Sequence, residues 1–394
     1  MENKIELLAP AGDMTTFITA VKAGADAIYF GLQNFNMRAR SPNFKLTDLP
    51  KMRRIADKHK INLYLTLNTI IYDNELTRLE KLIKKVKPYI NAVICSDMSV
   101  MLLCKKYKIP FHVSTQVSVS NIESAKFYKK LGARRIVLAR ELSLKQIKSI
   151  AKHVNVEVFA HGAMCVSVSG RCFMSNHLYK NQSANRGRCI QPCRRFYHVK
   201  DDQGKELRVT NNHIFSAKDL CTLPFLEKLK KAGIKSIKLE GRSREPEYVD
   251  TVVRVYKHAL NNKLTPAQIK QAITELNKVY TKGFSSGFYL GTPTNDDFSN
   301  AQHSTATRSK QFIGKITHYY KNLEVGLLHI NTGQIKLGDN IMILGNTTGI
   351  KRFKIENMQI NHKPVNIAKK AQDVGIKLPL CRKGDDLYKV IRKK

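Results

Sequence analysis

Three segments of this chain share one pattern: KAGADAIYFG (22–31), KLGARRIVLA (130–139) and KAGIKSIKLE (231–240). Each ends a helical stretch with Lys-x-Gly and then enters a short apolar run that favours a β-strand. Glycine at the end of a helix followed by a buried strand is typical of the helix-to-strand junction of an α/β fold. The repeated pattern therefore predicts that strands and helices alternate along much of the chain.

Working outward from these segments, the hydrophobic pattern predicts eight strands, each followed by a helix. The strands are expected near 5–9, 26–30, 61–67, 91–95, 110–114, 134–139, 155–160 and 235–240. The helices are expected near 14–23, 46–59, 74–87, 97–106, 121–131, 143–152, 217–231 and 246–261. Eight strand–helix units in strict alternation are typical of a (β/α)8 barrel of the TIM type, and a doubly wound open sheet is the alternative.

The end of the chain has a different pattern. After a helix near 266–280, residues 281–310 are rich in Gly, Ser, Thr and Asn, which predicts a linker. Beyond it, FIGKITHYYKN, LEVGLLHI and GQIKLGDNIMILG alternate apolar and polar residues between Gly and Asn turns. We therefore expect a barrel domain over residues 1–280, a linker over 281–310 and a small antiparallel β-barrel domain over 311–394.

The charge of the chain is strongly positive. It contains 68 Lys and Arg residues against 31 Asp and Glu residues, which gives a formal net charge of +37, and the cations are spread along the whole sequence. A nucleic-acid-binding surface explains this excess, because Lys and Arg displace counterions from phosphates. The alternative is a Lys-rich organism whose proteins are all basic.

The amino-terminal residues MENKIELLAPAGD lack a basic start followed by a long apolar core, so no signal peptide is expected. No stretch approaches the ~18 uninterrupted apolar residues of a membrane helix. Residues 91–104 come nearest, and Asp97 interrupts them. The sequence therefore predicts a cytoplasmic protein with no membrane partner, in which cysteines stay reduced.

Four of the eight cysteines lie in the segment HGAMCVSVSGRCFMSNHLYKNQSANRGRCIQPCRR (161–195), within a long loop (161–216) after the seventh predicted strand. They are Cys165, Cys172, Cys189 and Cys193, with the spacing C-x6-C-x16-C-x3-C. The paired C-x2-C knuckles of a zinc ribbon are absent, whereas iron–sulfur sites accept more varied spacings. We therefore expect a 4Fe–4S cluster, with zinc or reduced thiols as the alternatives.

Other residues of this loop bear on the same site. Gly162, Gly170 and Gly187 would let the backbone bend around a cluster, and Pro192 prevents a regular helix between the last two cysteines. Further candidate ligands are His161, His177 and Cys221. The remaining cysteines are expected to be separate residues, with Cys95 and Cys104 buried in the core.

Polar residues follow the ends of the predicted strands, where active sites of such barrels are built. The candidates that we expect to form a ring at this end are Arg38, Arg40, Gln116, Arg140, His161, Glu240 and Arg242. A single member of this set would be explained by a helix cap or a solvated loop. The recurrence after successive strands is what indicates a site.

The sequence contains one of two common hydrolase motifs. The zinc-protease motif H-E-x-x-H is absent from the sequence, and one G-x-S-x-G string spans Gly283 to Gly287 with Ser285 at its centre. A nucleophile elbow needs a strand, a sharp turn and a helix around the serine. This string instead follows a predicted helix and opens the predicted linker, so we interpret it as a turn.

The segment EVFAHGAMCVSVSGRCFMS (157–175) resembles the signature of peptidase family U32, the collagenase-like proteins. Further segments that match in order are LLAPAGD (7–13), GADAIYFG (24–31), STQVSVSN (114–121), ARELS (139–143), SANRGRCIQPCRR (183–195), SAKDL (216–220) and KLEGR (238–242). The resemblance extends over about the whole chain. It implies that Cys165, Cys172, Cys189 and Cys193 hold an iron–sulfur cluster. One branch of the family draws a ligand from elsewhere, which makes Cys193 the least certain of the four.

The resemblance also implies a function. Some members are similar to bacterial tRNA hydroxylation proteins, which form 5-hydroxyuridine at the wobble position in a prephenate-dependent reaction. We expect this activity, with the tRNA anticodon loop as partner and prephenate as co-substrate. Other branches imply hydroxylation of a ribosomal RNA cytidine or of ubiquinone, and the family's label implies a collagenase-like peptidase. A non-catalytic RNA-binding protein is a further alternative.

Roles follow for the candidate residues. Prephenate is a dicarboxylate, so Arg38, Arg40, Arg140 and Arg242 are candidates for bidentate clamps, together with Gln116 as a binding residue. We expect two of the four arginines to contact the co-substrate. The alternative is that one or two of them pair with Glu141 or Glu240 and only hold the rim together. His161 or Glu240 is expected to act in proton transfer. The wobble base lies in a single-stranded loop and would be splayed into the mouth of the barrel.

Overall fold

The computed structural model describes residues 4–195, 197–198, 200–205, 215–301 and 303–393. The first ten strands are β1 (Glu6–Pro10), β2 (Ala27–Phe30), β3 (Asn62–Leu67), β4 (Ala92–Cys95), β5 (Phe111–Val113), β6 (Arg135–Val137), β7 (Val156–Gly162), β8 (Asp219–Cys221), β9 (Ser236–Leu239) and β10 (Phe284–Ser285). Strands β1 to β7 pair in parallel in chain order, and β9 pairs in parallel with both β1 and β7. These eight strands close a parallel barrel, so the predicted (β/α)8 fold is confirmed.

Helices alternate with the barrel strands. They are α1 (Met14–Ala23), α2 (Leu49–His59), α3 (Leu76–Val86), α4 (Met98–Lys106), α5 (Ile122–Leu131), α6 (Leu144–Ala151), α7 (Met174–Leu178), α8 (Leu226–Lys231), α9 (Pro246–Asn261) and α10 (Pro266–Leu276). The helix predicted over 217–231 was wrong in its first half, because strand β8 occupies part of it and pairs antiparallel with β7. Pro224 contributes to this, since a proline lacks the N–H that a continuous helix would need.

The repeated Lys-x-Gly pattern marks the junctions where helices turn back into barrel strands. Gly24 and Gly132 cap α1 and α5 with φ of 96° and 112°, and Gly233 follows α8 with φ of 83°. These left-handed conformations strain any residue with a Cβ atom. The next strands, β2, β6 and β9, begin two to four residues later. The pattern therefore specifies three of the eight junctions directly.

The interior of the barrel combines an apolar layer with a chain of ion pairs. The apolar layer consists of Leu8, Ala27, Tyr29, Tyr64, Ala92 and Ile94. Beside it, the guanidinium of Arg135 contacts Glu6 at 2.5 Å and Glu157 at 3.2 Å, and Glu157 contacts Lys238 at 3.5 Å. These pairs connect strands β1, β6, β7 and β9 through the middle of the barrel.

The remaining strands form antiparallel sheets at the end of the chain. They are β11 (Arg308–Tyr320), β12 (Val325–Ile330), β13 (Gln334–Lys336), β14 (Asn340–Gly345), β15 (Gly349–Lys354), β16 (Met358–Ile360), β17 (Lys363–Pro364), β18 (Ile367–Lys369), β19 (Asp373–Lys377) and β20 (Asp386–Arg392). Eight of them form a sheet in the order β15-β14-β20-β11-β12-β19-β16-β17, and β13 pairs with β18. They enclose their own apolar core, which includes Ile313, Leu328 and Ile343. The predicted C-terminal antiparallel architecture is confirmed.

The two parts of the chain contact each other. Arg352 of β15 pairs with the buried Asp250 of α9, and Lys22 of α1 donates a hydrogen bond to the Thr348 carbonyl at 2.8 Å. The segment predicted as a linker, 281–310, contains β10, which pairs with β8, and its Tyr289 hydroxyl donates to the Phe159 carbonyl at 2.6 Å.

Among the described residues, no helix has the length and apolar content needed to cross a membrane.

Candidate active site

A cavity of about 450 Å³ lies at the carboxyl-terminal end of the barrel strands. One side of its wall consists of residues at or just after strand ends, such as Thr66, Asn68 and Thr115. The other side consists of residues from the cysteine loop, which we define as residues 163–195 between β7 and the segment before β8. This is the end of the fold where TIM-type barrels carry their active sites.

The structure brings most of the predicted site residues to this cavity. Of the seven rim candidates, those that line it are Arg38, Arg40, Gln116, Arg140, Glu240 and Arg242. Arg194, Lys238 and Arg244 also line it, which makes seven cationic side chains against one carboxylate among the described lining residues. Such an excess of cations in a confined space favours an anionic ligand.

Glu240 is the carboxylate of this cavity. It is buried, and its Oε1 accepts a hydrogen bond from Arg38 Nη2 at 3.1 Å. Burial by itself would raise the pKa of Glu240, but the guanidinium groups of Arg38, Arg244 and Arg140 outweigh it and hold the pKa below its ordinary value. Glu240 is therefore ionised at neutral pH, and it compensates part of the positive charge around it.

The Arg242 guanidinium donates hydrogen bonds to two side chains of the protein. It is buried, and it donates hydrogen bonds to Thr66 Oγ1 at 2.5 Å and to Asn36 Oδ1. Burial lowers the pKa of Arg242 to about 10, so the group stays cationic at neutral pH. Because its donors already have protein partners, Arg242 mainly holds the loop after β2 against β3, at the floor of the cavity.

Arg140 has a different environment. Its Nη1 donates to the Ala163 carbonyl at 2.8 Å, and its guanidinium lies 3.7 Å from the centre of the Phe159 ring. Stacking on an aromatic ring orients the planar group and leaves other N–H donors free to bind a ligand. Arg140 is therefore a pre-oriented cation at the wall of the cavity.

Three cations of the cavity were not predicted: Arg194, Lys238 and Arg244. Lys238 is buried between the rings of Tyr29 and Phe159, at 4.3 and 5.6 Å from their centres, and its pKa is lowered by burial although Glu157 opposes this. The sequence contained a signal for Lys238. It lies two residues before Glu240 along β9 and its extension, and residues two apart in a strand face the same side. Arg244 lies 3.5 Å from the centre of the Tyr280 ring.

Arg40 and Gln116 lie at the margins of the cavity. Arg40 is exposed, and its Nη1 donates to Gln182 Oε1 of the cysteine loop at 2.9 Å. Gln116 follows β5, and its Oε1 accepts a hydrogen bond from Ser114. The Gln116 amide nitrogen is therefore the end of this side chain that is suited to contact a ligand.

His161 lies apart from the predicted ring. It is buried against the rings of Tyr248, Tyr256 and Phe284, and it is not among the described residues that line the cavity. The pairing of β7 with β9 shifts register between Phe159 and His161. This bulge re-aims the side chain, so the alternation that places Phe159 in the cavity does not continue to His161. Burial lowers the pKa of His161 to about 3, which keeps the ring neutral.

All four cysteines of the cysteine loop line the same cavity: Cys165, Cys172, Cys189 and Cys193. None of them is in a disulfide. Burial raises the pKa of Cys193 to about 11, and its three partner cysteines add to this rise against the opposing charge of Arg194. Cys193 is thus close enough to the other three to sense their charge, and it lies on the same wall as they do.

Backbone N–H groups point at two of these sulfur atoms. The Met174 N–H donates to Cys172 Sγ at 3.3 Å, and the Gln191 N–H donates to Cys189 Sγ at 3.4 Å. The Ser175 hydroxyl adds a longer contact to Cys189 Sγ at 3.8 Å. Such hydrogen bonds stabilise the thiolate form that binds metals and tune the properties of a metal centre.

The cysteine loop is attached to the barrel at several points. Arg186 binds Glu75 through both guanidinium nitrogens, at 2.9 and 2.5 Å, and Ser169 donates through its N–H and hydroxyl to Glu141 at 2.8 and 3.2 Å. Arg194 donates to the Ala217 carbonyl, two residues before β8, at 2.8 Å, and to the Met164 carbonyl within the loop at 2.7 Å. The loop is therefore held over the barrel mouth by charge-assisted hydrogen bonds.

The predicted bends of this loop are confirmed. Gly162, Gly170 and Gly187 all have positive φ, at 106°, 81° and 78°. A Cβ atom at Gly187 would lie 2.1 Å from the Asn36 carbonyl oxygen, so this glycine also allows the loop to approach the chain after β2.

In the part of the chain that the structure describes, no group of three His, Cys, Asp or Glu side chains is placed to hold one metal ion. Of the further candidate ligands, His177 is exposed on α7 and Cys221 is buried in β8, and neither is among the described residues that line the cavity. Cys95 and Cys104 are buried in the core, as predicted.

Ser285 does not have the surroundings of a hydrolase nucleophile. It ends the two-residue strand β10, and its Oγ accepts a hydrogen bond from the Gly287 N–H at 3.2 Å. No helix follows within residues 286–294. The strand–turn–helix geometry of a nucleophile elbow is missing, which agrees with the interpretation of this string as a turn.

Comparison with known proteins identifies the family. A sequence profile of peptidase family U32 matches residues 12–299. This chain belongs to peptidase family U32. The family predicted from the motifs around the cysteines is therefore confirmed.

Relatives of this chain are named for different activities. A collagenase of Porphyromonas gingivalis is 39% identical over 408 residues, which cover 98% of each chain. The tRNA hydroxylation protein P1 of Bacillus subtilis is 31% identical over 356 residues, which cover 87% of this chain and 84% of that protein. A 23S rRNA 5-hydroxycytidine synthase of Escherichia coli is 38% identical over 262 residues, which cover 66% of this chain and 40% of that enzyme.

Proposed function

We propose that this U32 protein hydroxylates carbon 5 of a pyrimidine in RNA, and that its substrate is the wobble uridine of tRNA. The observation that carries the proposal is the cavity in which four free cysteines lie beside seven cations and one buried carboxylate. Relatives that act on tRNA and on ribosomal RNA support the substrate class, as does the net charge of +37.

The proposed reaction is an oxidation. It replaces a C–H bond of the base by a C–O bond, so it needs an oxygen donor and an acceptor of two electrons. A hydrolase would need an activated nucleophile, and Ser285 lacks the required context. The site instead presents thiols and cations, which are groups suited to hold a redox cofactor and an anionic co-substrate.

Cys165, Cys172, Cys189 and Cys193 are the residues that would hold a 4Fe–4S cluster. A four-iron cluster binds each thiolate at a different iron, so its cysteines lie further apart than the ligands of a single ion. This requirement fits four thiols that line one cavity wall. The hydrogen bonds to Cys172 and Cys189 fit it as well. When bound, the cluster would supply electron-transfer capacity.

Prephenate fits the cationic wall as co-substrate. Its two carboxylates match guanidinium groups that have N–H donors to spare. Arg38 and Arg140 are the proposed clamps. Arg38 is paired with Glu240, but its side chain is 37% exposed, and Arg140 donates to the Ala163 carbonyl, whereas Arg242 is buried and bound to Thr66 and Asn36. Lys238 adds a buried positive charge nearby.

Glu240 is the proposed group for proton transfer. It is ionised, it faces the cavity, and three guanidinium groups surround it. His161 was the alternative, but its ring lies among aromatic side chains and away from the cavity. Glu240 is therefore the described carboxylate that could accept a proton from a bound base.

The test begins with protein purified without oxygen. The iron and sulfide content would be measured together with the visible absorption, and we expect about four iron per chain. The purified protein would then be incubated with unmodified tRNA, with and without prephenate, followed by nucleoside mass spectrometry. We expect 5-hydroxyuridine to form only with prephenate.

Other results would exclude the proposal in separate ways. Formation of 5-hydroxycytidine in ribosomal RNA alone would move the substrate to that RNA. Cleavage of denatured collagen by protein without iron would favour a peptidase. Tight RNA binding without any change in nucleosides, whatever co-substrate is added, would indicate a non-catalytic RNA-binding protein.

A further inference from the structure

A second, more open cavity of about 680 Å³ adjoins the active-site cavity on the outer side of the cysteine loop. We call it the outer basin; its wall includes Arg40, Tyr179, Lys180, Cys189, Gln191 and Arg195. Arg40, Cys189 and Gln191 line both cavities. A ligand bound in the outer basin would therefore contact protein side chains, such as that of Arg40, that also line the active-site cavity.

The outer basin is positively charged. Arg40, Lys180 and Arg195 are exposed, and no described residue that lines the basin is acidic. Among the described residues, none of these three cations forms an ion pair with a carboxylate, whereas many surface lysines elsewhere do. Unpaired, solvated cations around a concave surface are suited to bind a phosphate backbone.

Tyr179 gives the basin an oriented aromatic ring. The Arg195 guanidinium donates to the Tyr179 hydroxyl at 2.8 Å and lies 5.4 Å from the ring centre. The ring is nevertheless 43% exposed. At the other end of α7, Phe173 is 74% exposed. Exposed aromatic rings set among cations are typical of surfaces on which unpaired bases stack.

We infer that the outer basin binds an unpaired RNA loop next to the nucleotide that enters the active-site cavity. In this arrangement Arg40, Lys180 and Arg195 bind backbone phosphates, and a base beside the target stacks on Tyr179. A duplex keeps its bases stacked inside, so only a single-stranded segment offers a free base to the ring. This inference rests on the proposed function for its choice of RNA, but it concerns binding alone.

The inference is tested by RNA binding of the complete iron-loaded protein, without prephenate. The probes are a stem-loop RNA with unpaired uridines in its loop and a fully paired duplex RNA of the same length. We expect Tyr179→Ala to weaken stem-loop binding about tenfold, because stacking of one base is lost. Tyr179→Phe keeps the ring and should bind within about twofold of the wild type.

The matched control is Tyr320→Ala, since Tyr320 is 46% exposed in β11 on the C-terminal sheet. It should leave stem-loop binding unchanged. Lys180→Gln combined with Arg195→Gln should weaken binding of the stem-loop and reduce its dependence on salt. Iron content is measured in each variant, so that a loss of binding is not confused with a loss of the cluster.

Three results would overturn the inference: equal binding of duplex and stem-loop, unchanged binding by Tyr179→Ala, or equal losses for Tyr179→Ala and Tyr179→Phe. The last result would show that the hydroxyl contact with Arg195 matters rather than the ring. None of these results depends on hydroxylation. If the stem-loop binds in a Tyr179-dependent manner but no hydroxylation is observed, the proposed function would be excluded. The assignment of the outer basin as an RNA-binding surface would then stand.

Discussion

At the scale of single residues, Glu240 controls the electrostatics of the cavity. It is the carboxylate that faces Arg38, Arg140 and Arg244 from a buried position. Removing its charge would leave these guanidinium groups facing each other in a region with little water. The same residue therefore has a structural role and the proposed role in proton transfer, and the two roles can be separated by experiment.

Glu240→Gln should lower stability at pH 7 and flatten its dependence on acid. The folded-state pKa of Glu240 lies below the ordinary value of ~4.3, so its contribution is complete above that value and is lost as pH falls through the folded pKa. In the wild type, the stabilisation from Glu240 should be complete at pH 5, and the melting temperature should fall as the pH drops below ~4.3 and through the lower folded-state pKa. The Glu240→Gln variant should lack this pH-dependent stabilisation, because glutamine does not titrate.

The measurement is the melting temperature of both proteins between pH 7 and pH 3. Glu123→Gln is the control, because the Glu123 side chain is 82% exposed and, among the described residues, its ion-pair partner is Lys126 on the same helix. A Glu240→Gln profile parallel to that of the wild type would contradict the assignment of Glu240 as an ion-paired buried carboxylate.

Cys172→Ala should abolish iron binding and RNA hydroxylation while the barrel stays folded. Cys172 lines the active-site cavity and its sulfur accepts the Met174 N–H, whereas Cys221 is buried in β8 beside the Tyr256 hydroxyl. Cys221→Ala is therefore the matched control, and it should keep its iron and lose at most about 1–2 kcal/mol of stability. Iron content and circular dichroism report the two properties separately. Full iron content in Cys172→Ala would remove this residue from the ligand set.

At the scale of elements, the cysteine loop is the part of the chain that turns a common barrel into a specific site. It has little regular structure beyond α7, and it is held by Arg186 on Glu75, by Ser169 on Glu141 and by Arg194 on the Ala217 carbonyl. Its backbone follows a path that several glycines permit. The loop therefore depends on attachments to the barrel more than on its own hydrogen bonds.

Gly187→Ala should destabilise this loop far more than Gly170→Ala. Both glycines have positive φ, so each alanine has a strain of about 1 kcal/mol. A Cβ at Gly187 also meets the Asn36 carbonyl oxygen at 2.1 Å, whereas a Cβ at Gly170 meets nothing within 4 Å. We expect a total loss of about 3 kcal/mol or more at Gly187.

Melting temperature and hydrogen exchange across residues 163–195 provide the measurement. The two variants share the backbone strain and differ only in the steric contact, so the difference between them isolates the contact. Equal effects of both substitutions would show that the loop does not pack against the chain after β2 as described.

Local sequence patterns predicted the barrel strands but missed the short strand β8. The eight barrel strands were predicted from short runs rich in apolar residues, most of them after a helix end, because parallel strands of such a barrel are covered by helices on one face. Charged residues of the barrel interior, such as Glu157 and Lys238, interrupt these runs. Strand β8 was missed, since its three residues precede a genuine helix and their pairing partner β7 is remote in the sequence. Short strands of this kind depend on tertiary pairing rather than on local preference.

At the scale of the whole molecule, the charge of +37 predicts that RNA binding depends strongly on salt, because cations throughout the chain can contact the backbone. Each phosphate contact of a single strand contributes about 0.7 to the slope of log affinity against log salt. The three cations of the outer basin would therefore account for a slope of about 2. We expect a steeper slope for intact tRNA.

Fluorescence titrations at several salt concentrations measure this slope for tRNA and for the isolated stem-loop. Prephenate binding should change much less with salt, since its proposed site is buried and screening acts mainly on exposed charges. A slope for tRNA no steeper than that of the stem-loop would show that the rest of the basic surface does not contact RNA.

The sequence by itself determined the barrel, the C-terminal antiparallel sheets and the family. These follow from local information: strand and helix periods, glycines that must be left-handed, and motifs in fixed order. The clustering of four cysteines in one loop after β7 was also a property of the sequence. It was visible because the residues are close along the chain.

Only the tertiary structure decided which side chains share the cavity. It places Lys238 and Arg244 on the wall, binds Arg242 to Thr66 and Asn36, and moves His161 behind a bulge in β7. The physical reason is that side-chain direction near a strand end depends on register and bulges, which are set by neighbouring strands. Those neighbours are remote in the sequence, so no local pattern encodes their effect.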